Sequence, residues 1–275
     1  MMKKINDIIG DAKTIGIAGH LRPDGDCMGS CMSLYNYLKK NRPDLDVRVF
    51  LEFVDKKFNI IENTDQIITT GYDGTKFDLF ISLDTASLDR LGLNLPFYEN
   101  AKRTACIDHH ASNDGYADYN YILPKASSAS EVLYDLLDED LIDKSIAEPM
   151  YMGIAHDSGV FRFQSTTPKT MRIAANMIEK GVNVNMILEE TFFRKTYNQM
   201  MVTAKIQSEA VLALDGKCIY GYCTSEMMEE YGVTTKDLDA VVASIRNVDG
   251  VEVAMFLYQL SEDSYKVSLR SKNYV

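Results

Sequence analysis

Short apolar runs alternate with longer amphipathic stretches over the first two thirds of the chain. Each run is followed by polar or turn-forming residues, which is typical of short buried strands. The runs are TIGIAG from Thr14, DVRVFLE from Asp46, DLFISLD from Asp78 and TACID from Thr104. The stretches CMGSCMSLYNYLKKN, SEVLYDLL and KTMRIAANMIEKG have helical character. The alternation predicts an α/β fold with a mostly parallel sheet flanked by helices.

The pattern changes after residue 185. Residues 186–210 are amphipathic without an obvious internal loop signal, which predicts a single connecting helix. Beyond them, strand-like KCIYGYCTSE, helical DLDAVVASIRN, and strand-like VEVAMFLYQL and YKVSLRS predict a second, smaller α/β domain. The predicted organisation is a first domain over residues 1–185, the connecting helix, and a second domain over residues 211–275.

Composition narrows the function classes. With 275 residues and 46% apolar content the chain can bury a substantial core, and it has no apolar run long enough to span a membrane. Five cysteines without a CxxC pair argue against a disulfide framework or a zinc knuckle and favour the cytoplasm. A net charge of -11 disfavours long double-stranded nucleic acid as a partner. A small phosphorylated ligand remains compatible, because bound cations would offset some of the carboxylates.

Candidate ligands follow three of the predicted strands. Residues 20–26 follow the first, Asp84 ends the third, and the Asp108-His109-His110 triplet ends the fourth. Loops at the carboxyl ends of parallel strands converge, so these side chains should meet in one place. All four histidines of the chain lie within or beside an Asp-containing loop. Carboxylates and imidazoles together are the ligands of divalent cations such as manganese and magnesium.

The first two segments each allow two interpretations. In GHLRPDGDCMGS, Pro23 and Gly25 set a tight loop that can direct His20, Asp24 and Asp26 into one cavity. The alternative is a solvated turn with an N-capping aspartate. Asp84 ends an apolar strand, where a carboxylate must be solvated, cap a helix or bind a cation. In this context a ligand shared by two cations is favoured.

The triplet and the segment MYMGIAHDSGVFRF complete the candidates. Side chains alternate in direction after a strand, so one histidine of the triplet can bind metal while the other meets substrate, and Asp108 can orient an imidazole. The alternative is a structural histidine pair. Asp157 is a candidate metal ligand, and Arg162, five residues on, is a candidate phosphate-binding residue, although Asp-Ser-Gly is also a common turn. His156 has no assigned role.

Taken in order, HLRPDGD, the LD at Asp84, the DHH at Asp108 and GIAHDSG closely resemble the four motifs of the DHH phosphoesterase family. The match extends over residues 14–165. The spacing, the RF after the last motif and the second domain most resemble the branch of bifunctional nano-RNases and 3'-phosphoadenosine 5'-phosphate phosphatases.

The resemblance implies a binuclear metal site, usually of manganese, with magnesium or cobalt as alternatives. The residues of the two sets are His20, Asp24 and Asp84 for one cation, and Asp26, Asp84, His109 and Asp157 for the other. Asp108 would support these ligands without binding metal. His110 would contact the scissile phosphate or its leaving oxygen.

The second domain resembles the DHH-associated domain that grips the nucleotide. SLRS at residues 268–271 matches the arginine-bearing strand of that domain, so Arg270 and Ser271 are candidate substrate-binding residues. The family continues into a glycine-rich GGGH segment, whereas this sequence stops at Val275. We expect the lack of that segment to raise the Michaelis constant more than it disturbs metal binding.

The predicted function is hydrolysis of very short oligoribonucleotides to 5'-mononucleotides, dephosphorylation of 3'-phosphoadenosine 5'-phosphate, or both. The main alternative is a cyclic or linear dinucleotide phosphodiesterase that uses the same metals. A single-strand DNA exonuclease is disfavoured by the pI near 4.9. A pyrophosphatase is disfavoured by the lack of a basic motif near the end, and a noncatalytic module by the presence of every metal ligand. Whether the chain forms a homodimer stays open.

Overall fold

Five parallel strands form the centre of the first part of the chain. In the computed structural model, which describes residues 4–238 and 241–272, they are β1 (Thr14–Ala18), β2 (Asp46–Phe50), β3 (Leu79–Leu83), β4 (Thr104–Asp108) and β5 (Tyr119–Ile122). Their order across the sheet is β2-β1-β3-β4-β5. The predicted α/β fold with a parallel sheet is confirmed.

The strand order positions the functional residues. From β1 the chain proceeds to β2 on one side and then returns to β3 on the other. The order therefore reverses between β1 and β3, and a crevice opens beyond their carboxyl ends. His20 follows β1 and Asp84 directly follows β3, so both residues lie at this crevice.

Seven α-helices accompany the sheet within the described part of this unit. They are α1 (Ile5–Ile9), α2 (Gly25–Asn41), α3 (Leu95–Glu99), α4 (Ala129–Leu136), α5 (Lys144–Asp157), α6 (Pro168–Glu179) and α7 (Val184–Leu188). Helices α2 and α5 cross closely through Gly29 and Gly153, where a Cβ on Gly29 would lie 2.8 Å from the Gly153 Cα. This contact brings the start of α2, with Asp24 and Asp26, towards α5, which ends at Asp157.

Alternate strand residues supply two apolar clusters on opposite faces of the sheet. The larger contains Ile15 and Ile17 of β1 and the buried faces of α2 and α5. The other is aromatic and contains Phe50, Phe77, Phe80 and Phe97. Covering both faces excludes water from the sheet and leaves its carboxyl edge as the place where polar side chains gather.

The segment predicted as one connecting helix, residues 186–210, is interrupted. Helix α7 is followed by a π-helical turn over Glu189–Phe193, and α8 (Tyr197–Glu209) starts anew. The break has a local cause, because Thr196 caps α8 and Gln199 returns the hydrogen bond to the Thr196 backbone. The chain divides into two compact units between Phe193 and Arg194, so α8 belongs to the second unit.

The second unit is a small α/β structure with its own apolar core. Its strands β6 (Val211–Ala213), β7 (Cys218–Cys223), β8 (Val253–Ser261) and β9 (Ser264–Ser271) form a sheet in that order, in which only the β7–β8 pair of the described strands is parallel. Its other helices are α9 (Ser225–Tyr231) and α10 (Val241–Arg246). Parts of the predicted elements lie outside the described residues. They are Asp239 and Ala240 of the predicted helix DLDAVVASIRN, residues 1–3 of the first predicted domain, and residues 273–275 of the second, which include Val275. Within the described ranges, no helix has the length and apolar character to cross a membrane.

Candidate active site

A small polar cavity lies where the loops after β1, β3 and β4 meet the end of α5. Its volume is about 180 Å³. Aspartates and histidines dominate its lining. The lining residues are His20, Asp24, Asp84, Ala86, Arg90, His109, His110 and Asp157. The structure therefore brings together candidates that the sequence separates by more than a hundred positions.

Asp24 has two roles at the start of α2. Its Oδ1 accepts hydrogen bonds from the amides of Asp26 and Cys27, at 3.0 and 3.1 Å. Its Oδ2 faces His20 Nε2 at 3.7 Å. The capping role and the cavity-facing role, which the sequence presents as alternatives, are thus served by different oxygens of one carboxylate.

Asp84 lies between the histidines. It is buried, and its backbone is left-handed with φ of 52°. Oδ2 is 3.4 Å from His20 Nε2, and Oδ1 is 3.5 Å from His109 Nε2. Oδ1 also lies 3.7 Å from His110 Nδ1. The two oxygens therefore face different histidines, an arrangement compatible with a ligand shared between two cations. A left-handed backbone at a residue other than glycine is sparsely populated and is typical of functional sites.

Asp26 is held beside His109 by backbone amides. Oδ2 accepts from the Ala129 amide at 2.6 Å and Oδ1 accepts from the Ser130 amide at 3.0 Å, so the carboxylate occupies the N-terminus of α4. The same Oδ2 lies 4.0 Å from His109 Nε2. Gly153 provides the room, since a Cβ there would lie 2.7 Å from Asp26 Oδ1.

Asp157 completes this side of the cavity. It is the last residue of α5, and its Oδ2 lies 3.2 Å from His109 Nε2. His109 Nε2 therefore has the carboxylates of Asp26, Asp84 and Asp157 within 4.0 Å.

His110 is oriented by a buried carboxylate. Its Nδ1 lies 2.8 Å from Asp108 Oδ1, and Asn113 Nδ2 donates to Asp108 Oδ2 at 2.7 Å. The hydrogen bond to Asp108 raises the pKa of His110. Because Nδ1 is engaged and the ring lines the cavity, Nε2 is the nitrogen that remains for a substrate.

Comparison with known proteins decides the family. The description "DHH family, N-terminal domain" matches residues 14–154, more than half of the chain. The chain belongs to the DHH family. The resemblance inferred from the four motifs is confirmed, and every ligand candidate except Asp157 falls inside the matched residues.

Relatives extend the similarity to both units. The chain is 30% identical over 268 residues to the bifunctional oligoribonuclease and PAP phosphatase NrnA of Thermus thermophilus, covering 94% of this chain and 76% of the relative. It is 26% identical over 264 residues to the protein of the same name in Bacillus subtilis, covering 94% and 82%. An exopolyphosphatase-related protein from Bacteroides fragilis shares the fold with a TM-score of 0.88 at 22% identity, covering 98% of this chain and 82% of that one.

Electrostatics of the DHH site favour a bound cation. Burial raises the pKa of Asp26 well above its usual range, and the charges of Asp84 and Asp157 add to the effect. Burial likewise raises the pKa of Asp157 to about 6. Burial opposes protonation of His109, yet the hydrogen bond to Asp84 and the nearby carboxylate charges raise its pKa to about 10. Carboxylates at this density repel one another, and divalent cations would relieve that repulsion.

The ligand geometry is compatible with metal binding. Donor atoms of Asp26, His109 and Asp157 lie within 4.8 Å of one another, as do those of Asp84, His109 and His110, and those of His20, Cys27 and Asp84. His20 is also oriented, because its Nδ1 lies 2.7 Å from the Leu21 carbonyl oxygen. A proton on Nδ1 donates to that oxygen and leaves the Nε2 lone pair for a cation.

The candidate substrate-binding residues are divided between the two units. Arg162 is exposed, its Nε donates to the Gly159 carbonyl at 3.1 Å, and it is not among the residues that line the cavity in the described part of the chain. Arg270 is exposed on β9, where its Nη1 donates to the Leu269 carbonyl at 2.9 Å, and Ser271 ends that strand. Both residues belong to the second unit. Their roles remain predictions.

His156 is a packing residue. Its Nε2 lies 2.8 Å from Thr191 Oγ1, and that hydroxyl donates to the Ile187 carbonyl, so the ring donates from Nε2. Burial lowers its pKa to about 4, which keeps the ring neutral. A Cβ on Gly25 would collide with the ring, so glycine is required where α2 begins.

Sequence reasoning missed two residues of the site. Arg90 lines the cavity, with Nη2 3.3 Å from His20 Nδ1. Asn113 orients Asp108 from five residues further along the chain. Each stands a few residues after a recognised motif, but only the folded loop shows that its side chain turns back to the site. A polar residue shortly after a motif is the one available signal, and it is a weak one.

Proposed function

We propose that this chain is a two-metal phosphoesterase that hydrolyses very short oligoribonucleotides to 5'-mononucleotides and removes phosphate from 3'-phosphoadenosine 5'-phosphate. The observation that supports it most directly is that the two oxygens of Asp84 face His20 and His109 separately. Membership of the DHH family and the names of the relatives from Thermus thermophilus and Bacillus subtilis support the same reaction class.

The donor set fits two hard divalent cations, and manganese is the metal we expect. When bound, two such cations lower the pKa of an attacking water and neutralise charge on the phosphate oxygens. We assign His20, Asp24 and Asp84 to one cation, and Asp26, Asp84, His109 and Asp157 to the other.

Around these ligands, other residues orient the groups that act. Asp108 fixes the His110 ring so that Nε2 is available to a phosphate oxygen or to the leaving oxygen. Amides at the start of α4 hold Asp26, so its carboxylate is fixed before any cation binds. Preorganisation of this kind favours the transition state, because the groups need not reorder during the reaction.

The size of the cavity restricts what enters it. At about 180 Å³ it is smaller than the pockets that enclose drug-sized ligands, which are about 300–1,000 Å³. We propose that only the phosphate end of the substrate enters and that the nucleoside lies outside. We propose that the second unit, whose sequence resembles the DHH-associated domain, binds the nucleotide, with Arg270 and Ser271 as the candidate contacts. We also place the protein in the cytoplasm, since its five cysteines, all within the described residues, are free.

A substrate panel tests this function. The protein would be stripped of metal, supplied with manganese, and assayed on 3'-phosphoadenosine 5'-phosphate, dinucleotide to pentanucleotide RNA, cyclic dinucleotides, pyrophosphate and single-stranded DNA. We expect manganese-dependent turnover, with the first two substrate classes preferred. The matched control is the Asp84→Asn protein, stripped of metal and supplied with manganese in the same way. This substitution keeps the shape of the side chain and removes its charge.

Each outcome has a clear meaning. Preference for cyclic dinucleotides would replace the proposed substrate with a second messenger, and preference for single-stranded DNA would make the enzyme an exonuclease. Turnover that persists in the Asp84→Asn protein would reject the assigned site. Lack of turnover on all substrates with manganese would reject the proposed function.

A further inference from the structure

Arg90 is the residue with a permanent positive charge among the described residues that line the cavity. The rest of the lining consists of three aspartates, three histidines and one alanine. A phosphate ester is anionic, and Arg90 carries its positive charge whatever the protonation state of the histidines. The position of Arg90 therefore bears on how a substrate enters.

The backbone around Arg90 is firmly held. Its amide donates to the Ser87 carbonyl at 3.1 Å, and its own carbonyl accepts from the Leu21 amide at 2.7 Å. Two residues later Gly92 adopts a φ of 52°, and a Cβ at Gly92 would collide with Glu52 and Leu21. These contacts hold the backbone of Arg90 against the segment that carries His20, so the Cα position of Arg90 is fixed.

The tautomer of His20 determines what Arg90 can do. Nδ1 of His20 has two neighbours, the Leu21 carbonyl oxygen at 2.7 Å and Arg90 Nη2 at 3.3 Å. A guanidinium has only donors, so it cannot accept the proton that Nδ1 gives to Leu21. When Nε2 serves as a ligand, Nδ1 carries that proton, and the guanidinium remains available to an anion.

The sum of the charges in the site also favours an anion near Arg90. With two divalent cations bound, the four carboxylates of Asp24, Asp26, Asp84 and Asp157 would offset their charge. Arg90 would then give the loaded site one positive charge beside His20. A planar guanidinium can also grip two phosphate oxygens at once.

We propose that Arg90 binds the phosphate of the substrate within the cavity and is a substrate-binding residue of this enzyme. The proposal rests on the proposed function, because it takes the ligand to be a phosphate ester. It differs from the sequence-based expectation, which gave this role to Arg162 and Arg270. Arg162 is not among the described residues that line the cavity.

The test compares Arg90→Ala and Arg90→Lys with Arg172→Ala, a control that removes an exposed arginine on α6. Isothermal titration would measure manganese binding first and then binding of inorganic phosphate to the manganese-loaded proteins. We expect Arg90→Ala to weaken phosphate binding by about 10- to 100-fold, the range for a hydrogen bond to a charged group. Manganese affinity should stay unchanged. Arg90→Lys should recover part of the lost phosphate affinity, since lysine keeps the positive charge but cannot donate to two phosphate oxygens in the planar geometry of a guanidinium.

Several results would overturn the inference. One is wild-type phosphate affinity in Arg90→Ala, and another is a wild-type protein that binds manganese but no phosphate. Loss of manganese together with phosphate in Arg90→Ala would make Arg90 a support for His20 instead. If the wild-type protein hydrolyses the substrate panel in any of these cases, the proposed function survives alone; if it binds no manganese, both proposals fail.

Discussion

Asp108 Oδ1 lies 2.8 Å from His110 Nδ1, and this pair gives two adjacent histidines different surroundings. Asp108 is fully buried and also accepts from Asn113, so its oxygens are occupied by these two partners. His109, the neighbour of His110, instead places Nε2 among three other aspartates. His109 thus faces three candidate ligand carboxylates, whereas His110 is held by Asp108 and has Asp84 Oδ1 farther away, at 3.7 Å from its Nδ1.

We expect His110→Ala to lower turnover by about 100-fold or more, the range for loss of a positioned proton-transfer group, while both manganese ions stay bound. The reason is that Nδ1 of His110 is already engaged by Asp108. Measurement of kcat together with metal content by elemental analysis checks this. A fall in bound manganese would show that His110 is a ligand.

Replacement of Asp84 should have the largest effect on the site. We expect Asp84→Ala and Asp84→Asn each to lower activity more than about 100-fold and to reduce the manganese stoichiometry, because in the proposed site this carboxylate would serve both cations. Asp89→Ala is the control, since Asp89 is an exposed acid on the same loop. Near-normal turnover in an Asp84 variant would show that the shared-ligand assignment is wrong.

Gly153→Ala tests the packing beneath Asp26. The added Cβ would press against Asp26 Oδ1 and Ser130, so we expect a loss of stability of about 1–3 kcal/mol together with weaker manganese binding. Thermal unfolding and manganese titration measure the two effects. In the control Gly71→Ala, the new Cβ would lie an ordinary 3.6 Å from Leu93 Cβ. A variant as stable as the wild type, with unchanged metal affinity, would contradict the prediction.

Manganese affinity should rise with pH. Without metal, the pKa of His109 is about 10 and that of Asp157 about 6, both above the ordinary values of these groups. Protons on these groups compete with a cation, so they must leave on binding, and lower pH strengthens the competition. Titration calorimetry at pH 6 and pH 8, about one unit on either side of neutrality, would report the manganese affinity. Repeating it in buffers of differing ionisation enthalpy would report the number of protons released. Equal affinity with no proton release would count against these ligands.

The sequence predicted the first sheet well because its strands are short, buried and apolar. It missed β5, whose Tyr119–Ile122 run is only partly buried at the edge of the sheet. The pattern of apolar residues predicts one helix through Thr196, whereas the capping box of Thr196 and Gln199 starts a new helix there.

The candidate site was predictable to a similar degree, for a topological reason. Residues directly after parallel strands must meet at one edge, so the places of His20, Asp84 and His109 follow from the strand pattern. The family resemblance added the pairing of ligands with cations, which spacing alone does not give. Arg90 and Asn113 were out of reach because their positions depend on how a loop folds back.

The left-handed backbone at Asp84 restricts which residues the fold tolerates there, and most of the tolerated residues lack a carboxylate. Asparagine and glycine tolerate such a conformation, whereas most side chains would be strained by it. Glutamate keeps the charge but is not among the residues that favour this backbone. We therefore expect asparagine or glycine at this position to remove the carboxylate while the local backbone conformation is retained.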